Sequence, residues 1–229
     1  GQVMLVDGGP DKRILRRLGE ELPFWERRID MIVVSHPHED HYGGLQSVVE
    51  RYSVGVVLLT GIETRSQSYQ QFVQTVQKRN IPIYLVEKQE QVSLGDVQLD
   101  IIYPDHSLKG HWISNLNNSS IVIRVAYKEI DMLLTGDAEE EEEAELIATG
   151  VDVTADILKV GHHGSDTSST ESFVKAVSPE IAVISSGKGN KYGHPSLRTL
   201  RRLERLGISI RRTDTEGTIR FRTDGLKLY

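Results

Sequence analysis

The sequence predicts a layered α/β protein. Short apolar runs that read as buried strands alternate with segments whose apolar residues recur at helical spacing. Each cluster of metal-ligand or proton-handling side chains follows one of those apolar runs directly, which places the chemistry at strand ends. The 229 residues suffice for one large domain or two small ones, and the absence of repeats, long linkers or low-complexity tracts, apart from a glutamate run at 139–143, favours one. Hydrophobic content of 38% and charged content of 26% fit a globular protein, and no run approaches the ~20 apolar residues of a membrane span. No cysteine is present, so disulfides and thiolate metal sites are excluded. The net charge of −6 is uneven: residues 187–229 carry +7 and the remainder −13. A basic C-terminal part on an acidic body is compatible with an anionic substrate but is no strong nucleic-acid footprint.

In chain order, Val3–Val6 reads as a buried strand ending in the turn Asp7-Gly8-Gly9. Asp7 either orients a histidine from behind or is a plain turn residue. Met31–Val34 is a strand followed by His36-Pro37-His38-Glu39-Asp40-His41. Residues two apart in extended chain point the same way, so His36 and His38 can share one ion. Asp40 and His41 fall where the chain turns into a helix marked by Leu45, Val48, Val49 and Tyr52. Imidazole with carboxylate suits Zn²⁺, Mn²⁺ or Fe.

Further strands are expected at Val54–Thr60, Ile81–Val86, Val97–Tyr103, Ser120–Tyr127, Ile130–Leu134, Ile157–Val160 and Ile181–Ser185. Lys128-Glu129 turns a hairpin. Helices are expected at Ser66–Arg79, Ala138–Ala148, Ser169–Val177 and Pro195–Leu206, the last opened by Pro195 at a favoured first position. Short strands at Ile208–Arg212, Thr218–Arg222 and Leu226–Tyr229 close the chain. Asp105–Asn118 is a long loop with His106, His111 and Trp112, either flanking the substrate or simply exposed.

Three later stretches carry chemistry. Leu133-Leu134-Thr135-Gly136-Asp137 ends a strand in a carboxylate able to bridge two ions, with Glu139 two residues on. Glutamates 140–143 read as a solvated first helical turn. Leu158–Val160 leads into Gly161-His162-His163-Gly164-Ser165. Adjacent residues of an extended chain face opposite ways, so one histidine binds metal and the other serves as acid or phosphate contact. His163 is favoured as the ligand and His162 as the acid. Ser168 with Glu171 fits a capping box for the next helix. The loop Ser185–Ser196 offers Lys188, Asn190, Lys191 and His194, either to a phosphate oxygen or as an ordinary strand–helix turn. The helix beyond carries Arg198, Arg201, Arg202 and Arg205, set against Leu197, Leu200 and Leu203, as a solvated or nucleic-acid-binding face.

Together with Asn117-Asn118-Ser119-Ser120 and Tyr192-Gly193-His194-Pro195-Ser196, these motifs resemble the C-terminal metallo-β-lactamase-like domain of the ComEC family of competence DNA-uptake channels, over nearly the whole chain. The resemblance implies an αββα sandwich of two packed mixed sheets flanked by helices, of which this chain would lack the first strands. It implies two divalent ions, Mn²⁺ or Zn²⁺, held by His36, His38, Asp40, His41, Asp137 and one of the paired histidines, His163 being the favoured one. Asp40, His162, His194 and Glu139 then act in catalysis, and Ser165, Lys188, Asn190 and Lys191 at the substrate. Asp7 and Asn118 support the ligands from behind.

The implied activity is phosphodiester hydrolysis by water activated between two cations, degrading the DNA strand, single-stranded in this reading, that does not enter the cell. The implied setting is the outer face of the cell membrane, joined to the other domains of a larger channel protein. Bacterial phosphorylcholine esterases are similar in the Gly-Asp-x-Glu and His-His stretches, so esterase or small-phosphodiesterase activity is the rival reading, and a metal-poor interaction domain the third. Asn117-Asn118 stand where many superfamily hydrolases have a further histidine. The resulting oxygen-rich ligand set favours Mn²⁺ over Zn²⁺.

Overall fold

A computed structural model describes all residues 1–229. The chain forms two compact units, residues 1–87 with 106–121 and residues 88–105 with 122–229.

The first unit holds β1 (Met4–Val6), α1 (Arg13–Glu21), β2 (Arg28–Val33), α2 (Glu39–Tyr42), α3 (Leu45–Arg51), β3 (Ser53–Leu59), α4 (Gln67–Lys78) and β4 (Ile83–Leu85). Its strands lie in the order β1-β2-β3-β4, and every pair is parallel. Parallel strands buried on both faces read as continuous apolar runs, which is why Met31–Val34 and Val54–Thr60 read as strands. Ile29, Ile32, Val57, Leu59, Leu45, Val48, Val49, Phe72 and Val76 form the core of this unit. Ser66 caps α4 by accepting from the Tyr69 N–H, and Tyr69, Phe72 and Val76 make its buried stripe.

The expected helix after the histidines is two helices, because the chain breaks at Gly43-Gly44. A side chain at Gly44 would collide with the Gly8 carbonyl, so the two glycine turns close on one another. The Asp105–Asn118 loop ends in a 3-10 turn at Leu116–Ser119, and His106, His111 and Trp112 are exposed.

The second unit holds β5 (Glu90–Leu94), β6 (Val97–Tyr103), β7 (Val122–Tyr127), β8 (Ile130–Leu134), α5 (Glu140–Thr149), β9 (Ile157–Lys159), α6 (Glu171–Val177), β10 (Ile181–Ile184), α7 (Leu197–Arg205), β11 (Ser209–Arg212) and α8 (Thr213–Glu216). The seven strands follow sequence order. β5 to β8 form an antiparallel meander and β8 to β11 are parallel. The two sheets flanked by helices match the expected architecture, except that only the second sheet is mixed.

Several local expectations are corrected. Helix α1 and edge strand β5 were not foreseen. Pro195 does not open α7; it precedes the N-cap, Ser196, whose hydroxyl accepts from the Thr199 N–H. The cap of α6 is Thr170, not Ser168, whose hydroxyl donates to the Gly161 carbonyl instead. Glu142 and Glu143 are buried, not solvated. The Glu143 carboxylate accepts the N–H groups of Ser169 and Thr170 at the start of α6. The last two expected strands reduce to an isolated bridge, Thr223 to Leu228, and a backbone pair between Arg222 and Tyr229. This tail docks on the Lys128-Glu129 hairpin through Lys128 Nζ, 2.9 Å from the Asp224 carbonyl.

Candidate metal centre

In the first unit, β1 and β2 run parallel, so Asp7 and the His36–His41 segment leave the sheet at the same edge. Asp7 adopts a left-handed backbone (φ 59°), an uncommon state for a residue other than glycine. That turn aims its carboxylate at three donors: the Ser35 N–H (2.8 Å), the Ser35 hydroxyl (2.8 Å) and His41 Nδ1 (2.7 Å). Burial alone would raise the Asp7 pKa, but the interactions with His41 and the Ser35 N–H outweigh it and hold the group below the ordinary carboxylate range.

Ser35 gives its one proton to Asp7, so its oxygen accepts from His36 Nδ1 at 3.1 Å. Ser120 Oγ lies 3.5 Å from the same nitrogen. These contacts fix the tautomers: His36 and His41 carry their protons on Nδ1, and Nε2 of each is the basic nitrogen. His36 Nε2 meets His38 Nδ1 at 3.0 Å.

In the second unit, β8, β9 and β10 are parallel, so Asp137, the paired histidines and the Ser185–Ser196 loop share one sheet edge. Asp137 is 2% exposed. Its Oδ2 lies 3.4 Å from His163 Nε2, and its Oδ1 lies 3.9 Å from Lys159 Nζ. Lys159 also donates to the Gly136 carbonyl at 2.7 Å and so holds the turn that presents Asp137. His162 and His163 are not extended, as expected, but both left-handed (φ 43° and 53°) within a 3-10 turn. The turn still sends them to different partners. His163 Nδ1 donates to the Ser185 carbonyl at 2.7 Å, leaving Nε2 basic, while His162 Nδ1 pairs with Glu139 Oε1 at 2.8 Å. Gly164 is required here, because a side chain would strike Pro195.

Neighbouring ligands at ~2.0–2.1 Å from one ion stand about 2.8–3.0 Å apart in octahedral and about 3.3–3.4 Å apart in tetrahedral geometry. The His36–His38 and Asp137–His163 separations both fall in these ranges. The donors therefore fit divalent ions within each unit, with an oxygen behind three of the four imidazoles.

The Ser185–Ser196 loop differs in detail from expectation. Asn190 spends its side chain on the loop itself: its amide donates to the carbonyls of Gly187 (2.9 Å) and His194 (2.5 Å), and its oxygen accepts from the Tyr192 and His194 N–H groups. It shapes the loop rather than reaching substrate. Ser165 is buried with its hydroxyl on Thr167, 3.0 Å away, so it too faces inward. Lys188 and Lys191 are exposed. The His194 ring stands 5.5 Å from that of His162. Asn118 sits in the 3-10 turn, three residues before Ile121, whose N–H bonds the Ser35 carbonyl. Ser35, Ser120 and Lys159 are the supporting residues that sequence reasoning missed. Only Lys159, a charge inside an apolar strand, left a signal.

Residues 1–188 match the family model described as the metallo-beta-lactamase superfamily. The chain belongs to that superfamily. ComE operon protein 3 of Bacillus subtilis is 30% identical over 97% of this chain and 30% of its own length. Competence protein ComA of Neisseria gonorrhoeae is 30% identical over 85% of this chain and 25% of its own. The chain thus spans about a third or less of these curated relatives, and they place it with the ComEC-like branch of the superfamily. Among solved structures, the metallo-beta-lactamase fold protein YhfI from Bacillus subtilis aligns over 91% of this chain and 83% of its own with a TM-score of 0.54 at 13% identity, a likeness of fold. The superfamily fold is that of metal-dependent hydrolases, and no helix of this chain is long and apolar enough to cross a membrane.

Two expectations follow from the geometry. Asp7→Asn, which removes the acceptor behind His41, should weaken Mn²⁺ or Zn²⁺ binding about 10- to 100-fold without unfolding the chain; metal titration checks it. His194 should titrate below the ordinary imidazole value of 6.5, because burial and then the charges of His162 and His163 disfavour its cation more than Asp137 and Asp166 favour it. A depressed histidine supports the fold above pH 6.5 and loses that contribution as pH falls toward its folded pKa. Imidazole proton shifts of metal-stripped protein, followed against pH, give the midpoint.

Proposed function

We propose that this superfamily member is a divalent-metal-dependent phosphodiesterase that cuts DNA, with His36, His38, Asp40, His41, Asp137 and His163 as the proposed metal ligands. The observation that carries the reading is the contact set: oxygens of Ser35, Asp7 and Ser185 lie within hydrogen-bond distance of Nδ1 of His36, His41 and His163, an arrangement that places the protons on Nδ1 and leaves each Nε2 a lone pair. When bound, divalent ions acidify a water and neutralise phosphate charge. The chain's own groups do the rest. Glu139 orients the His162 ring so that Nε2 faces the leaving oxygen and hands it a proton. His194, neutral at pH 7, hydrogen-bonds the phosphodiester and leaves proton transfer to His162. Lys188 and Lys191 attract the anionic substrate.

The name of one relative, Competence protein ComA, supports a role in competence; in this reading the substrate is the DNA strand that is not transported. The domain would then sit beside the other parts of a longer membrane protein, on its outer face. A small phosphodiester ester is the second reading, supported by the net charge of −6, which gives little long-range attraction for DNA.

The test is incubation of metal-stripped protein, reloaded with Mn²⁺ or Zn²⁺, with single-stranded DNA, duplex DNA and bis(p-nitrophenyl) phosphate. DNA cleavage that Mn²⁺ restores more fully than Zn²⁺ is expected, because oxygen-rich ligand sets tolerate Mn²⁺. Cleavage of the small diester alone establishes the second reading. No hydrolysis with either metal overturns both.

A further inference from the structure

A cationic face of the second unit remains unused by the hydrolytic machinery. Helix α7 carries Arg198, Arg201, Arg202 and Arg205 at spacings that share one face, contrary to the expected apolar partition, for Leu197 is exposed beside them. With Thr170 and Glu171 they line a groove of about 530 Å³ that holds four guanidinium groups and one carboxylate.

The four arginines differ. Arg202 is structural, donating to the carbonyls of Ser168 (2.9 Å) and Ser169 (2.6 Å). Arg198 and Arg205 reach Asp166 (3.6 Å) and Glu171 (2.5 Å), but their side chains are 74% and 64% exposed. Such pairs are worth little in water and give way to phosphate oxygens. Arg201 is exposed and has no carboxylate partner.

An independent feature lies just before α7 in the chain. Tyr192 is 68% exposed and stacked on His194 (centroids 6.0 Å, planes 16° apart), and the backbone N–H groups of both residues donate to the Asn190 side-chain oxygen. Lys191 Nζ lies 4.9 Å from the ring centroid, where a flexible side chain yields to a base and keeps its charge for that base's phosphate. An exposed aromatic ring is a stacking platform for an unpaired base. His194-Pro195-Ser196 joins this platform to α7, and Arg198 to Arg205 spans about 10 Å of helix, room for roughly three nucleotides.

We propose that Tyr192 and the Arg198–Arg201–Arg205 face form a track for single-stranded DNA, with a base on Tyr192 and the phosphates along α7. The identity of the polymer rests on the nuclease reading; the strand form and its path do not. A duplex keeps its bases stacked on each other and cannot use Tyr192.

Fluorescence anisotropy tests this with the intact, metal-stripped chain and a labelled oligothymidylate of about 12 nucleotides over a salt series. Single strand should bind more tightly than the same strand in duplex. The slope of log K against log salt should fall by about 2 in Arg198→Ala/Arg201→Ala/Arg205→Ala, at about 0.7 per phosphate contact. Tyr192→Ala should weaken binding roughly tenfold, with Tyr192→Phe close to wild type. Equal affinity for duplex, no measurable single-strand binding, or variants with wild-type affinity and slope would overturn the track. Arginine- and tyrosine-dependent binding by a chain that leaves DNA uncut keeps the track and removes the nuclease reading. Cleavage without that dependence does the reverse.

Discussion

Asp40→Ala should abolish phosphodiester hydrolysis while leaving the fold intact. Asp40 stands in the first turn of α2, one residue before His41, and is exposed. Exposed substitutions usually change stability by no more than about 0.5 kcal/mol, so its thermal midpoint should match wild type. A residue that only supports a ligand costs about 10- to 100-fold when removed, and a ligand should cost more. The expected loss is therefore upward of about a hundredfold in kcat/KM for any phosphodiester. Full activity in this variant, or in excess chelator, would rule the mechanism out.

Glu143→Ala should be the most damaging single change away from the metal ligands. Its carboxylate is buried and takes the first two N–H groups ahead of α6. Removing it strands one buried and one partly buried donor, at about 1–3 kcal/mol for the buried one and less for the other. A total near 3 kcal/mol corresponds to a fall of roughly 6–12 °C in the unfolding midpoint. The pH dependence has a definite sign. Burial raises the Glu143 pKa above its ordinary value of 4.5, only partly offset by the Thr170 and Ser169 hydrogen bonds and the nearby Arg202. A raised carboxylate contributes most below the unfolded pKa and loses that contribution as pH rises through the folded one. The gap between wild type and Glu143→Ala should therefore be wider at pH 4 than at pH 8. A denaturant titration at both values measures it, and an unchanged midpoint would restore the view of the glutamate run as a solvated turn.

That run shows where sequence reasoning stops. Strands β2, β3, β6 and β8 were legible because buried strands leave apolar runs, and the ligand motifs were legible because histidines and aspartates cluster directly behind them. Glu143 was not, since its partners lie 26 and 27 residues away and a charge run looks solvated until the fold supplies donors. The paired histidines were assigned opposite directions from extended backbone, whereas the turn is left-handed; the flanking Gly161 and Gly164 were the available hint. Ser35 and Ser120 fix the His36 tautomer, but serine is too common to stand out. Edge strand β5, Glu90–Leu94, shows too few apolar residues to separate it from loop, and the final two strands were over-read from short apolar pairs.

The central claim is that the chain binds divalent ions, with Asp137 among the proposed ligands. Calorimetric titration of Mn²⁺ into metal-stripped wild type and Asp137→Ala tests it most directly. Binding of two ions per chain by wild type, with loss of that binding in the folded variant, is the predicted result. A wild-type chain that takes up no metal, or an Asp137→Ala chain with unchanged stoichiometry and affinity, would contradict it.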